Sequence, residues 1–281
     1  MSDPGIPPII GAEPPEPPPL LPRPHPKWRW AVHLFLLAGY VLGIGLIGAK
    51  SHNDLDTEVV LPGSLAALMK LCAYEMVFFV SIFALALVFS RARAKELFLE
   101  WRGGFRPIFW GGVYSIGLRL GVMILMAILL APVIATKGTK SVEGMRPKIE
   151  KVIDMEAIKD PAYLIFTLTV VSFVVAGLRE ELWRAAMIAG LTGMAPGIFA
   201  SKRGQYGAVL IAGVIFGLGH LPQGWGGVFL TSLLGFGLGG IMVWRKSIWE
   251  AAIAHGFFDA TSFAALFLVA KYAPWALRGG L

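Results

Sequence analysis

The sequence predicts an all-α protein, a polytopic transmembrane helical bundle of about seven to eight helices, and three observations lead to this fold class. Hydrophobic residues make up 56% of the 281 positions and charged residues only 15%, whereas soluble domains carry about 25% charged residues. The apolar residues come in runs of about 20, the length that crosses a bilayer as a helix. Lysine and arginine give a net charge of +7 and gather beside these runs. This placement indicates contact with a lipid bilayer and no nucleic-acid partner.

The N-terminal half is expected to contain a tail and three membrane spans. Residues 1–27 are rich in proline, which predicts a disordered cytoplasmic tail. Residues 28–136 hold the N-terminal transmembrane helices, at about 30–48, 65–90 and 107–135. Lys70 and Glu75 are expected to reach the membrane interface from the second span. Arg119 reaches the lipid headgroups or a partner inside the bundle, and the sequence leaves both open.

The C-terminal half follows a charged loop. Residues 137–160 carry charges of both signs and predict an extramembrane loop with an amphipathic helix. A transmembrane core is expected at 161–271 and a C-terminal tail at 272–281. The core contains a fourth span from about 163, followed by spans at about 206–220, 225–244 and 248–270.

The sidedness follows from the basic clusters. Lysine and arginine are concentrated at the N-terminal flank and at 91–106, 202–203 and 245–246, and these clusters alternate with less basic loops. With seven spans, this alternation places the N-terminus in the cytoplasm and the C-terminus outside. A re-entrant or interfacial helix would change the count. The expected location is a membrane that the chain crosses several times.

Four charges interrupt the fourth apolar run: Arg179, Glu180, Glu181 and Arg184. Each charge at membrane depth costs about 2.5–3.5 kcal/mol on insertion scales. Glu180 and Arg184 are also four residues apart and share a helix face. The cluster therefore indicates the working part of a membrane-embedded site, with a structural ion-pair network as the alternative.

Two later spans each carry one histidine in an apolar setting. His220 follows Phe216 by one helical turn, and His255 precedes Asp259 by one turn. Taken singly, each pair could serve an interhelical hydrogen bond. Taken with the glutamates, they supply the groups that peptide hydrolysis needs: a base for water, a proton carrier and a donor to the oxyanion. A histidine oriented by a carboxylate can also bind a metal.

At these residues the chain resembles the CPBP intramembrane proteases, which include the type II CAAX prenyl endopeptidases and the bacterial Abi proteins. Their marks are Glu-Glu-x-x-x-Arg, Phe-x-x-x-His and His-x-x-x-Asn/Asp. Phe216–His220 matches the second mark and His255–Asp259 the third. The first departs, because two residues rather than three separate Glu181 from Arg184. Alignment on the glutamate pair makes Glu180 the water-activating carboxylate, whereas alignment on Arg184 puts Arg179 there; we favour Glu180.

The resemblance implies an intramembrane endopeptidase acting on a peptide or membrane-protein substrate, prenylated or not. Glu180 and His220 would activate water, with Glu181 in support, and His255 with Asp259 would stabilise the oxyanion. Arg184 and Phe216 would be supporting residues. Either Glu180, His220 and His255 bind a zinc ion (Zn2+), or a metal-free glutamate mechanism uses the same residues. A non-catalytic Abi-like immunity or scaffold protein and a proton-coupled transporter are the alternatives.

Overall fold

The protein is an all-helical bundle, as the sequence predicts. A computed structural model of the chain describes residues 26–54, 61–101, 103–145 and 153–273, and these residues contain helices but no strand. They form seven long helices: α1 (Lys27–Asp54), α2 (Leu65–Ser90), α3 (Arg106–Lys137), α4 (Pro161–Met194), α5 (Lys202–Leu218), α6 (Gly224–Arg245) and α7 (Ile248–Tyr272). Of these seven long helices in the described part of the chain, all but α5 are long and apolar enough to cross a membrane, which makes six candidate spans.

The expectation of seven spans is corrected at α5. This helix has 17 residues and rises about 26 Å at 1.5 Å per residue, which is less than the roughly 30 Å of a bilayer's hydrocarbon core. Its first turn also carries Lys202 and Arg203, which shorten the apolar part further. Because the sidedness of the termini depended on the count of seven, it stays a prediction.

The outer surface of the bundle is apolar, and α3 makes much of it. This helix packs mainly on α7 and otherwise lies at the periphery. Its outward side chains are more than half exposed; they include Ile116, Leu120, Met123, Ile124 and Ile128. An apolar surface this extensive is typical of a protein that faces lipid rather than water.

Helix α4 lies at the centre and packs against α1, α5 and α7. It begins at Pro161 after Asp160, whose side chain accepts a hydrogen bond from the Tyr163 amide at 2.8 Å. From Thr167 to Leu178 it is a π-helix, and from Arg179 to Met194 it is α-helical. The π-helix is rare and occurs frequently at functional sites, and here it ends directly before the four charges.

The loop before α4 was expected to contain an amphipathic helix, and only part of this loop lies within the described residues. Its described parts contain two 3-10 helices, Thr139–Met145 and Ala157–Lys159, and no α-helix. Ile153 and Ile158 are fully buried, so the end of the loop packs onto the bundle. The expected tails fall largely outside the described residues, as do 146–152 of this loop.

Gly177 permits a close approach of α4 and α7, because a Cβ at this position would lie 2.6 Å from the carbonyl oxygen of Ala252. We expect Gly177→Ala to destabilise the protein by about 1–3 kcal/mol through overpacking. Thermal unfolding in detergent measures this effect. Gly121→Ala is the matched control, because a Cβ there meets nothing within 4 Å. Equal unfolding midpoints for the two variants would contradict the close approach.

Candidate active site

A cavity of about 110 Å³ lies among α1, α2, α4 and the C-terminal end of α5. It is large enough for several water molecules. Glu180 and His220, which the sequence analysis selected, both line it. The other lining residues are Tyr40, Val41, Ile44, Glu75, Phe79, Arg179, Trp183, Phe216 and Gly219.

Glu180 lies in the first turn after the π-helix and is largely buried, with 16% of its side chain exposed. Its two carboxylate oxygens have different neighbours. Oε1 lies 3.1 Å from Nη2 of Arg179 and accepts its hydrogen bond. Oε2 lies 3.7 Å from Nε2 of His255. One oxygen is thus bound, while the other faces the histidine of α7.

His220 lies two residues after the end of α5, and its ring is held by the last turn of that helix. Nδ1 lies 2.9 Å from the carbonyl oxygen of Phe216. A carbonyl oxygen can only accept, so Nδ1 carries the hydrogen and donates it. The Phe216 ring packs edge-on against the imidazole, with 4.6 Å between centroids. This arrangement leaves Nε2 as the nitrogen that can accept a proton.

His255 joins α7 to α4. Its Nδ1 donates to Oε1 of Glu181 at 3.1 Å, and its Nε2 lies 3.8 Å from Oδ2 of Asp259, one turn further along α7. Since Nδ1 is bound by Glu181, the ring can act on a substrate only through Nε2. The Phe216 ring lies between the two histidines, with its centroid 6.5 Å from that of His255.

Glu181 and Arg184 form an ion pair that is fully buried. The guanidinium lies 4.6 Å above the Phe216 ring, beside α6, where a Cβ on Gly239 would come within 3.2 Å of Arg184 Cδ. The sequence analysis placed Arg184 beside Glu180, four residues earlier. In the structure Arg184 pairs instead with Glu181, three residues earlier. Both spacings place side chains on one helix face.

Two charged residues of the N-terminal helices have partners inside the bundle. Glu75 was expected to reach the membrane interface, but its Oε2 accepts a hydrogen bond from Arg179 Nη1 at 2.6 Å inside the bundle. Arg119 takes the second of its two predicted options, because its Nη2 donates to the Phe258 carbonyl at 2.6 Å. That carbonyl belongs to the residue before Asp259. The sequence did carry a signal for this role of Glu75, because a charge inside an apolar run indicates a partner within the bundle.

The zinc hypothesis named Glu180, His220 and His255 as ligands. In the part of the chain that the structure describes, no group of three or more His, Cys, Asp or Glu side chains is placed to hold a metal ion. As they stand, these residues therefore do not fit a metal centre, and zinc stays a prediction.

The comparisons with known proteins bear on the C-terminal part of the chain. Residues 161–261 match the family model described as type II CAAX prenyl endopeptidase Rce1-like. This match confirms the family resemblance and contains all five residues selected from the motifs. No curated protein and no solved structure matches the chain.

Loss of one partner from the buried Glu181–Arg184 pair leaves the other charge without compensation. We therefore expect Arg184→Met to destabilise the protein by about 3–5 kcal/mol, and the double variant Glu181→Gln with Arg184→Met to recover much of that loss. Thermal unfolding in detergent measures both.

Lys159→Met is the control for this prediction, because it removes an exposed ion pair with Glu156, which contributes at most about 1 kcal/mol. A similar loss for Arg184→Met and Lys159→Met would contradict the assignment of Arg184 to a buried pair.

Proposed function

We propose that this protein is an intramembrane endopeptidase that hydrolyses a peptide bond of a peptide or membrane-protein substrate. The observation that carries the proposal is the meeting of Glu180 and His220 in one cavity among apolar helices, with Glu180 facing His255. The match of residues 161–261 to a family of prenyl endopeptidases supports the same reaction class. The substrate in this proposal is either prenylated or unmodified.

In the proposed reaction, Glu180 and His220 activate a water molecule held in the cavity. Oε2 of Glu180 is not bound by Arg179; it lies 3.7 Å from Nε2 of His255 and is the oxygen that would accept a proton. Nε2 of His220 is the second proton acceptor, because Nδ1 is bound to the Phe216 carbonyl. The hydroxide formed from water attacks the peptide carbonyl carbon, and the proton passes through these groups to the leaving amine. General base catalysis of this kind contributes about 10²–10⁴-fold in rate.

His255 has the second role, stabilisation of the negative oxygen that forms during the attack. Its ring is oriented by the Nδ1 hydrogen bond to Glu181. Its Nε2, which lies near Asp259, would donate a hydrogen bond to the oxyanion when this nitrogen carries a proton. A preorganised donor in a water-poor site is worth more than the same donor in water, since the effective dielectric constant is lower. Glu181 would act only by holding the ring.

The protein is proposed to lie in a bacterial inner membrane with its N-terminus in the cytoplasm. The basic residues Lys27 and Arg29 at the start of α1 support that sidedness.

Glu180→Gln keeps the size of the side chain and removes its basicity, so we expect kcat to fall by about 10²–10⁴-fold without loss of folded protein. His220→Ala should also abolish cleavage. Glu181→Gln should lower the unfolding midpoint and affect kcat less than Glu180→Gln. The measurement is cleavage of a set of membrane-anchored peptides in detergent or liposomes.

A reversed ranking of Glu180→Gln and Glu181→Gln would contradict the alignment on the glutamate pair. Full activity of Glu180→Gln would overturn the hydrolase assignment. A non-catalytic binding protein would keep its partner after both changes, and a transporter would lose flux of solute or protons instead.

Metal dependence is a separate prediction. If Glu180, His220 and His255 rearrange around zinc, the purified protein will contain about one zinc per chain, and chelation will stop cleavage until zinc is restored. The glutamate mechanism predicts cleavage that persists in chelator. Metal analysis of wild-type protein and of His255→Ala, together with the chelator assay, decides between the two.

A further inference from the structure

Glu75 lies on α2, outside the residues that match the protease family, yet it lines the same cavity as Glu180. It is separated from the family segment by the whole of α3 and the loop before α4. Arg179 links its carboxylate to that of Glu180.

Arg179 divides its two terminal nitrogens between two carboxylates. Nη1 donates to Oε2 of Glu75 at 2.6 Å, and Nη2 donates to Oε1 of Glu180 at 3.1 Å. Only 14% of the Arg179 side chain is exposed, so the guanidinium is held between the two helices. With one nitrogen assigned to each partner, Glu180 keeps its second oxygen, Oε2, on the side of His255.

A guanidinium with one carboxylate partner tends to bind both of its oxygens in a parallel, two-bond arrangement. Without Glu75, Nη1 would lose its nearest acceptor and Arg179 would be free to bind both oxygens of Glu180. Oε2 would then be occupied, and the carboxylate would turn away from the water that it is proposed to activate. Glu75 prevents this by holding Nη1.

We propose that Glu75 is a positioning residue for Glu180 and that it acts through Arg179. This inference rests on the proposed function, because it assigns Glu75 to the efficiency of the same water-activation step. It also makes α2 a necessary part of the site, although the family match begins at residue 161.

The experiment measures kcat and KM for wild type, Glu75→Gln, Glu75→Asp, Arg179→Gln and the double variant Glu75→Gln with Arg179→Gln, using full-length protein in liposomes. We expect Glu75→Gln to lower kcat about tenfold and to change KM less than about twofold, since a misplaced catalytic group costs rate rather than binding. Glu75→Asp, which keeps the charge, should recover part of the loss. The double variant should be no slower than Arg179→Gln alone, because residues that act in series are not additive.

Glu156→Gln is the control, since this glutamate is 81% exposed, pairs with Lys159 and does not line the cavity. Its kcat should equal that of wild type.

Several outcomes would overturn the inference. Glu75→Gln with wild-type kcat would exclude positioning, an increase in KM alone would make Glu75 a substrate contact, and a double variant whose losses multiply would show that Glu75 and Arg179 act independently. In each of these cases wild type still cleaves and Glu180→Gln does not, so the proposed function stands. Wild-type protein that fails to cleave the peptide set would overturn the proposed function together with the inference.

Discussion

The buried contact between Glu181, Arg184 and His255 is the interaction on which the rest of the site depends. Ionic groups at this depth have no water to solvate them, and removal of one partner costs several kcal/mol. The contact draws on three helices besides α4: His255 comes from α7, Phe216 of α5 lies under the guanidinium, and the glycines of α6 leave room beside it. The positions of these helices are therefore constrained by one pair of charges.

Adjacent glutamates have different surroundings because consecutive residues on an α-helix point about 100° apart. Glu181 turns toward Arg184 and is fully buried. Glu180 turns toward α2 and α5, where it lines the cavity with His220. The pair thus combines a carboxylate that is fixed by structure with one that has a free oxygen. The groups that bury Glu181 exclude water from its carboxylate, so Glu180 is the member of the pair that is placed beside the cavity.

The sequence was sufficient for the helices, because long apolar runs are local signals, and charges within those runs are what made Glu180, Glu181 and His255 candidates. The sequence alone could not predict which helices far apart in the chain contact each other. Glu75 and Arg179 are separated by 104 positions, and nothing in either run indicates that α2 and α4 are neighbours. His33 is a similar case: its ring contacts the carbonyl oxygens of Ala86 and Ala186 on two other helices. Helix α5 was counted as a span because it is apolar, although with 17 residues it is shorter than the roughly 20 residues that usually cross a bilayer.

The shortened spacing between the glutamate pair and Arg184 is compatible with an intact site. A helix repeats every 3.6 residues, so a partner three residues away and one four residues away lie on nearly the same face. Arg184 accordingly reaches Glu181 at i,i+3 and still lies over Phe216. The residue before the pair, Arg179, places a cation against Glu180. Glu75 accepts a hydrogen bond from Nη1 of Arg179, so a single Nη2 bond joins this cation to Glu180, and Oε2 of Glu180 is left on the side of His255.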